Sequence, residues 1–173
     1  MTKRKEGIQQ QRPSADRPHL APGYGINPLD TAGMMVWDEV RDRLAKERNY
    51  WVATTHPDGR PHVMPVWGLW LDETFYFATD TASRKGRNLV ANPNLVVHLE
   101  SGDDVVIIEG SAEEVMEPPL LQHFAEDYQM KYQIRPDVNS ATAKVYSLRP
   151  KVAFAWQEKD FPTTATRWSF DYD

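Results

Sequence analysis

Apolar and polar positions follow two periods along the chain, and these periods divide it into predicted elements. From residue 50 onward most apolar segments are short, rich in β-branched and aromatic residues, and bounded by turn residues, as is typical of β-strands. The predicted strands cover residues 50–56, 61–71, 75–79, 95–100, 104–115, 144–148 and 151–156. Turns such as Pro57-Asp58-Gly59 join neighbouring strands, so we expect consecutive hairpins.

Three short segments show helical spacing instead. The first carries the apolar stripe Trp37, Val40 and Leu44 and is predicted to begin near Met34. A second helix is capped by Ser83 and ends near residue 91. Two prolines at 118–119 suit the first turn of a third helix. Hairpins with only three short helices favour a mainly β, antiparallel barrel over a Rossmann sheet.

The first 33 residues differ in composition from the rest of the chain. They hold four of the 13 prolines and four of the nine glycines, and few large apolar residues. Such a composition resists regular structure, so we predict a flexible N-terminal extension over residues 1–33 and a folded domain over residues 34–173. An arm that lies on a partner subunit is the alternative.

Composition and charge exclude several classes of protein. The chain has no cysteine, which removes disulfides and thiolate nucleophiles, and no apolar run long enough to span a bilayer. Without a secretory signal, we expect a cytoplasmic protein. The net charge of −5, concentrated after residue 33, argues against nucleic acid as the main partner.

Several common catalytic and metal-binding motifs are absent from the sequence. The chain has no GxSxG, P-loop, HExxH or GxGxxG motif, so hydrolase, kinase and Rossmann dehydrogenase functions are not favoured. Its five histidines lack ligand spacing, and we predict no metal site. A non-catalytic haem-binding module, with His56, His62 or His98 as iron ligand, remains an alternative.

One segment concentrates groups that bind anions, and we call residues 79–88 the cationic corner. Three cations and several hydroxyls meet the free N–H groups of a predicted helix start, which is the chemistry of a phosphate receptor. Its candidate binding residues are Thr79, Ser83, Arg84, Lys85, Arg87 and Asn88, with Ala78 directly before them.

The predicted strand over residues 61–71 is the candidate support for a flat ring. Pro65 has no N–H to donate to a neighbouring strand, so we expect an edge, a bulge or a groove there. A planar cofactor could rest along Val63, Met64, Pro65, Val66 and Trp67. We predict Trp37 and Trp51 in the core, whereas Trp67, Trp70, Trp156 and Trp168 could line a cleft or a dimer contact.

These motifs resemble the pyridoxamine 5′-phosphate oxidase-like split β-barrel family. The resemblance covers about residues 36–170 and rests on residues 75–79, Ser83-Arg84-Lys85, Asn88-Leu89, Asn92-Pro93 and residues 105–110. It implies a six-stranded antiparallel split barrel, a homodimer, and flavin sites at the subunit interface. It also implies that Ser83, Arg84 and Lys85 bind phosphate, and that Trp156 and Arg167 lie near the cofactor.

The chain departs from the oxidase proper on its second strand. That family member carries an arginine and a lysine there, whereas residues 63–70 are all neutral here. This strand and Thr166-Arg167-Trp168 are more similar to the branch that uses the deazaflavin coenzyme F420, so we expect F420, with FMN as the alternative. The expected reaction is hydride transfer between the deazaflavin and an unsaturated or conjugated small molecule. No residue stands out as the proton donor, and solvent or Arg167 is expected to serve.

Overall fold

The computed structural model describes residues 13–172, and these form eight strands, four α-helices and two short 3-10 helices. The strands are β1 (Ser14–Asp16), β2 (Asn49–Thr55), β3 (Pro61–Leu71), β4 (Thr74–Asp80), β5 (Asn94–His98), β6 (Asp104–Glu114), β7 (Ala143–Gln157) and β8 (Thr166–Ser169). The helices are α1 (Trp37–Lys46), α2 (Arg84–Ala91), α3 (Pro118–Tyr132) and α4 (Phe161–Thr164). None of these helices is long and apolar enough to cross a membrane.

Six of the strands close into an antiparallel barrel, which confirms the predicted fold class. The order β7-β4-β3-β2-β5-β6 closes through β6–β7 pairing, and β8 and β1 extend the sheet beyond β7. Closure pairs β6 with β7, so β6 does not end the sheet as a free edge. Every pairing is antiparallel, as the consecutive hairpins predict.

The two predicted closing strands are one strand, β7, and that prediction is wrong. Pro150 pairs with Gly110 while Val152 pairs with Glu109, so Lys151 is an extra residue in a β-bulge. A bulge lets a strand continue through a proline, because the local ladder is already interrupted there. β7 therefore pairs with β6 from Tyr146 to Gln157, while its other edge passes from β4 to β8.

The three predicted helices are present, and the first confirms its predicted apolar stripe, with one shifted boundary. Trp37, Val40 and Leu44 of α1 are all buried, but the helix begins at Trp37 rather than near Met34. The cause is local, because the Met34 N–H closes a turn onto the Thr31 carbonyl before the helix starts. α2 and α3 begin at their predicted caps and prolines.

The tryptophans divide between core and surface. Trp37, Trp70 and Trp168 are packed in the main core cluster, so Trp70 and Trp168 belong to the core of the barrel. The prediction that Trp51 lies in the core is wrong. Its side chain is half-buried on the outer face of β2, where its ring stacks on His98 with 6.3 Å between centroids.

The predicted N-terminal extension is described only from residue 13, and there it packs against the barrel. β1 pairs with β8, and Arg17 is 4% exposed. The Arg17 guanidinium donates to the carbonyls of Asp30, Ala32, Thr163 and Ala165 at 2.6–2.9 Å. Within the described residues the segment from 13 to 33 is thus fixed to the chain's C-terminal part, while residues 1–12 lie outside them.

Candidate functional site

The barrel is split where β3 and β4 separate. β3 pairs with β4 only over residues 68–71, and its first half, residues 61–67, pairs with β2 alone. Residues 78–80 of β4 likewise pair only with β7. We call the gap between residues 61–67 and 78–80 the cleft. Pro65 lies in this half of β3 with no strand on its other side, as its missing N–H predicts.

The start of α2 lies directly after the β4 side of the cleft. The Ser83 hydroxyl accepts a hydrogen bond from the Gly86 N–H at 3.0 Å, which confirms the predicted N-cap, and it lies 3.1 Å from the Thr79 hydroxyl. The Asp80 carboxylate accepts from the Ala82 N–H at 2.7 Å. These bonds fix the turn between β4 and α2 and orient the helix start.

Lys85 is the group at the cationic corner that most needs a partner. Its side chain is 9% exposed, and its ammonium lies 5.9 Å from the centre of the Phe77 ring, where β3 and β4 separate. Within residues 13–172 it has neither a hydrogen bond nor an ion pair. Burial lowers the pKa of Lys85, because the charged form loses water. A bound anion would restore the missing interactions, so these residues fit a phosphate group.

The other cations of the corner have different surroundings. Arg84 is exposed and, within the described chain, also has no ion pair. Partial burial and the nearby charges of Arg60 and Arg84 lower the pKa of His56. Arg87 instead turns back and donates to the Ala82 carbonyl. Arg84 is therefore available to a ligand, whereas Arg87 already has a backbone partner.

Asn88 is fully buried behind the corner. Its amide nitrogen donates to the Thr54 hydroxyl on β2 at 3.0 Å, which ties α2 to the barrel wall. Its amide oxygen has no hydrogen-bond partner within the described residues. In this arrangement Asn88 positions the helix, and its own contact with a ligand stays a prediction.

The predicted ring-binding residues lie on both faces of the separated strands. Residues of β3 that pair with the buried Tyr50 and Val52 face the barrel interior, and residues one step along face outward. Met64, Val66 and Thr79 therefore belong to the inner side, while Val63, Pro65, Trp67 and Ala78 belong to the outer side. Val63 and Met64 are 46% and 48% exposed, so the first half of β3 is uncovered on both faces.

Trp156 and Arg167 are not brought to the cationic corner within one chain. On β7, Val145 pairs with Ala78, whereas Phe154 pairs with Arg167, so nine residues or roughly 30 Å of strand separate the two positions. Arg167 forms an ion pair with Asp16 at 3.1 Å. The Trp156 indole N–H donates to Glu158 at 3.1 Å.

Sequence reasoning missed a cluster on α3 that contacts the β3 side of the cleft. The Tyr132 ring stacks on Trp67 with 4.7 Å between centroids and 3° between planes. The Lys131 ammonium donates to the Tyr50 hydroxyl at 2.9 Å and to the Gly68 carbonyl at 3.2 Å. The only sequence signal is the spacing of Phe124, Tyr128 and Tyr132, which recur every four residues as on one face of a helix.

The structure brings two histidines together without forming a metal site. The rings of His56 and His62 lie 5.8 Å apart across the β2–β3 hairpin. Among the described residues no group of three or more His, Asp or Glu side chains is placed to hold a metal ion.

The sequence of this chain is similar to those of known pyridoxamine 5′-phosphate oxidases. A family model described as pyridoxamine 5′-phosphate oxidase matches residues 36–157. The pyridoxine/pyridoxamine 5′-phosphate oxidase of Gluconobacter oxydans (strain 621H) is 42% identical over 82 residues, which are 46% of this chain and 41% of that protein. The chain thus aligns with less than half of that relative's length.

Solved structures share the barrel. A conserved hypothetical protein from Mycobacterium tuberculosis matches with a TM-score of 0.65 at 23% identity, over 76% of this chain and 91% of that one. An F420 reductase matches with a TM-score of 0.53 at 25% identity, over 65% of this chain and 94% of that one. The first match extends through most of the described chain and supports the split-barrel architecture.

Proposed function

Because this chain belongs to the pyridoxamine 5′-phosphate oxidase family, we propose that it is an oxidoreductase whose flavin-type cofactor binds in the cleft. The observation that carries this proposal is Lys85, a largely buried lysine that has neither a hydrogen bond nor an ion pair among the described residues, at the base of the gap between β3 and β4. A cofactor phosphate supplies the negative charge that this position lacks. Arg84 adds a second, exposed cation at the same helix start.

The hydroxyls of the corner have a proton to offer. Ser83 Oγ accepts from the Gly86 N–H, and the Ser83 and Thr79 hydroxyls share one hydrogen bond. Since each hydroxyl has a single proton, one of the two protons is used in that bond and the other is free for a phosphate oxygen. Lys85, Arg84 and this hydroxyl pair would together hold the phosphate.

We propose coenzyme F420 as the preferred cofactor and FMN as the alternative. The ring-binding half of β3 is neutral, and the F420 reductase is similar to this chain in fold. The unpaired edge of β3 gives a flat ring a backbone to rest on, with Pro65 removing one donor from that edge. When bound in its reduced form, such a cofactor supplies a hydride, and an unsaturated or conjugated acceptor gains that hydride and a proton from solvent.

A second copy of the chain is part of the proposal, because the outer face of the barrel is largely apolar. One row across the sheet runs Pro65, Trp51, His98, Ile107, Phe154 and Arg167, through successive strand pairings. The neighbouring row runs Val63, Ala53, Val96, Glu109, Val152 and Ser169, so four of its six residues are apolar and one, Glu109, is charged. Solvated faces of antiparallel sheets are normally polar, so we propose that this face is covered in a homodimer. The partner copy would bring Trp156 and Arg167 toward the cleft from outside.

Replacing Lys85 with methionine tests the phosphate assignment. We expect Lys85→Met to weaken binding of F420 and of FMN by about ten- to a hundredfold, because a charge-assisted contact of about 1.5–3 kcal/mol is lost. The measurement is a titration of each cofactor, followed by its fluorescence, with wild type binding F420 more tightly than FMN. Lys46→Met, at an exposed position of α1, is the matched control.

The same variant separates loss of binding from loss of folding. Methionine fills the buried space of Lys85 without an uncompensated charge, so we expect the melting temperature to stay the same or rise. Cofactor affinities unchanged in Lys85→Met would refute the corner as the phosphate site. Tighter binding of FMN than of F420 by wild type would instead identify FMN as the cofactor.

A further inference from the structure

β3 exchanges one neighbour for another at Gly68. Asn49 pairs with Trp67 as the last step of the β2–β3 ladder, and Gly68 pairs with Phe77 as the first step of the β3–β4 ladder. In the same register Arg48 would pair with Gly68. The Tyr132 side chain, at the end of α3, lies between these two residues instead. The β2–β3 ladder therefore stops at the same residue of β3 as the cleft.

The Tyr132 hydroxyl is inserted between the two backbones. It accepts from the Gly68 N–H at 3.0 Å and lies 2.8 Å from both the Arg48 and the Gly68 carbonyls. One hydroxyl has only one proton, so it can donate to only one of these carbonyls at a time. Tyr132 is 4% exposed, so no bulk water replaces it.

Lys131 supplies the missing donor. Its ammonium donates to the Gly68 carbonyl at 3.2 Å, to the Ala45 carbonyl at 3.3 Å and to the Tyr50 hydroxyl at 2.9 Å. With Lys131 on the Gly68 carbonyl, the Tyr132 hydroxyl is free to donate to the Arg48 carbonyl. Two successive residues at the end of α3 thus satisfy both backbone groups of Gly68.

The same tyrosine fixes the neighbouring ring. Trp67 is stacked face to face on Tyr132. The guanidinium of Arg48, the residue directly before β2, lies 4.8 Å from the centre of the Trp67 ring. Tyr132 therefore holds the backbone of Gly68 through its hydroxyl and the side chain of Trp67 through its ring. Trp67 is the last residue of the β3 half that forms the cleft.

We propose that Tyr132 and Lys131 are positioning residues, which set the position of residues 66–68 and thereby the affinity of the cleft for the cofactor ring. The inference rests on the proposed function for the identity of the ligand and on the described contacts for the positioning. Neither side chain is required to touch the cofactor.

Protonation of Lys131 makes the arrangement sensitive to pH. Burial lowers the pKa of Lys131 to about 8, partly opposed by the charge of Glu47. The other groups that face it are Tyr50 and Tyr132, whose pKa values are raised by burial, and Arg48 beside Tyr132. Below about pH 8 the ammonium is charged and holds Gly68, whereas above that pH the charge-assisted bond is lost.

The test compares Tyr132→Phe with Tyr128→Phe in the full chain. Phenylalanine at 132 keeps the stacking ring and removes only the hydroxyl. Tyr128 belongs to the same aromatic stack, 4.6 Å from the Tyr132 ring, but its hydroxyl does not bond to Gly68. Without ligand, we expect amide hydrogen exchange at Gly68 to become at least about tenfold faster in Tyr132→Phe and to be unchanged in Tyr128→Phe.

Binding is measured with two probes. The phosphate-free deazaflavin riboside reports on the ring site, and inorganic pyrophosphate reports on the cationic corner. We expect Tyr132→Phe to weaken the riboside by about tenfold and to leave pyrophosphate unchanged. Wild-type affinity for the riboside should fall as the pH rises through about 8, and Lys131→Met should remove that pH dependence.

The outcomes separate the inference from the proposed function. Equal exchange and equal riboside affinity in Tyr132→Phe and Tyr128→Phe would overturn the positioning role. A pH profile that Lys131→Met leaves intact would overturn the part assigned to Lys131. If wild type binds no deazaflavin or flavin ring, the proposed function fails, and exchange at Gly68 alone then decides whether Tyr132 holds β3.

Discussion

At the scale of single residues, the most constrained charge among the described residues is Arg17. Its guanidinium is buried and donates to four carbonyls that belong to the N-terminal segment and to the chain around α4. A planar guanidinium can serve four acceptors in different directions, whereas a lysine has one compact ammonium. The residue therefore joins two distant parts of the sequence.

We expect Arg17→Lys to lower the free energy of unfolding by about 2 kcal/mol, because at least one buried carbonyl loses its donor. Chemical denaturation measures the change. Arg135→Lys is the control, since Arg135 is exposed and its partners among residues 13–172 are two glutamine side chains. Equal stabilities of the two variants would show that the Arg17 contacts do not hold the segment.

Residue chemistry was the most predictable part of this protein. Ser83 caps α2 as its sequence predicts, and Pro65 lies on an unpaired edge. Both follow from local rules that need only a few neighbouring residues. Tyr132 could not be found in this way, because its role depends on α3 reaching a gap between β2 and β3 that lies 64 residues earlier in the chain.

At the scale of elements, strand positions were predictable but strand partners were not. The alternation of apolar residues locates β3 and β6 closely, yet it does not show that β3 leaves β2 for β4 at Gly68. The proline at 150 suggested two strands, whereas a bulge opposite Gly110 keeps β7 continuous. Partner changes and bulges depend on tertiary packing, which a single sequence records only indirectly.

The junction between β4 and α2 depends on close packing at Gly86. A Cβ atom there would lie 2.4 Å from the Asp80 carbonyl oxygen and within 3 Å of the Thr81 backbone. In Gly86→Ala the required backbone shift costs about 1–3 kcal/mol and the helix propensity gain offsets about 1 kcal/mol, so we expect a net destabilisation of up to about 2 kcal/mol. F420 or FMN affinity should fall as well, since Ser83 and Lys85 move with the helix start.

Thermal unfolding and cofactor titration measure the two effects of Gly86→Ala. Gly102→Ala is the matched control, because a Cβ at Gly102 meets nothing within 4 Å. A Gly86→Ala protein as stable as Gly102→Ala would contradict the packing argument. Normal stability with lost binding would place the effect on the site alone.

At the scale of the whole molecule, the largely apolar outer face of the barrel determines whether one chain alone can form the cofactor site. Ile107 lies in the middle of the outer row, between His98 and Phe154, and is half-buried in the single chain. If a second copy covers this face, a carboxylate at this position must lose its water in the dimer, which costs several kcal/mol. We therefore expect Ile107→Asp to be monomeric by sedimentation, while wild type is a dimer.

Ile134→Asp separates this effect from a general gain of charge, since Ile134 is 55% exposed and follows α3 rather than lying on the outer row. We expect it to remain dimeric. If the partner's Trp156 and Arg167 complete the cleft, the Ile107→Asp monomer should also bind F420 or FMN more weakly while keeping its affinity for pyrophosphate at Lys85. A wild-type monomer would refute the dimer, and undiminished cofactor binding by monomeric Ile107→Asp would show that one chain holds the ring by itself.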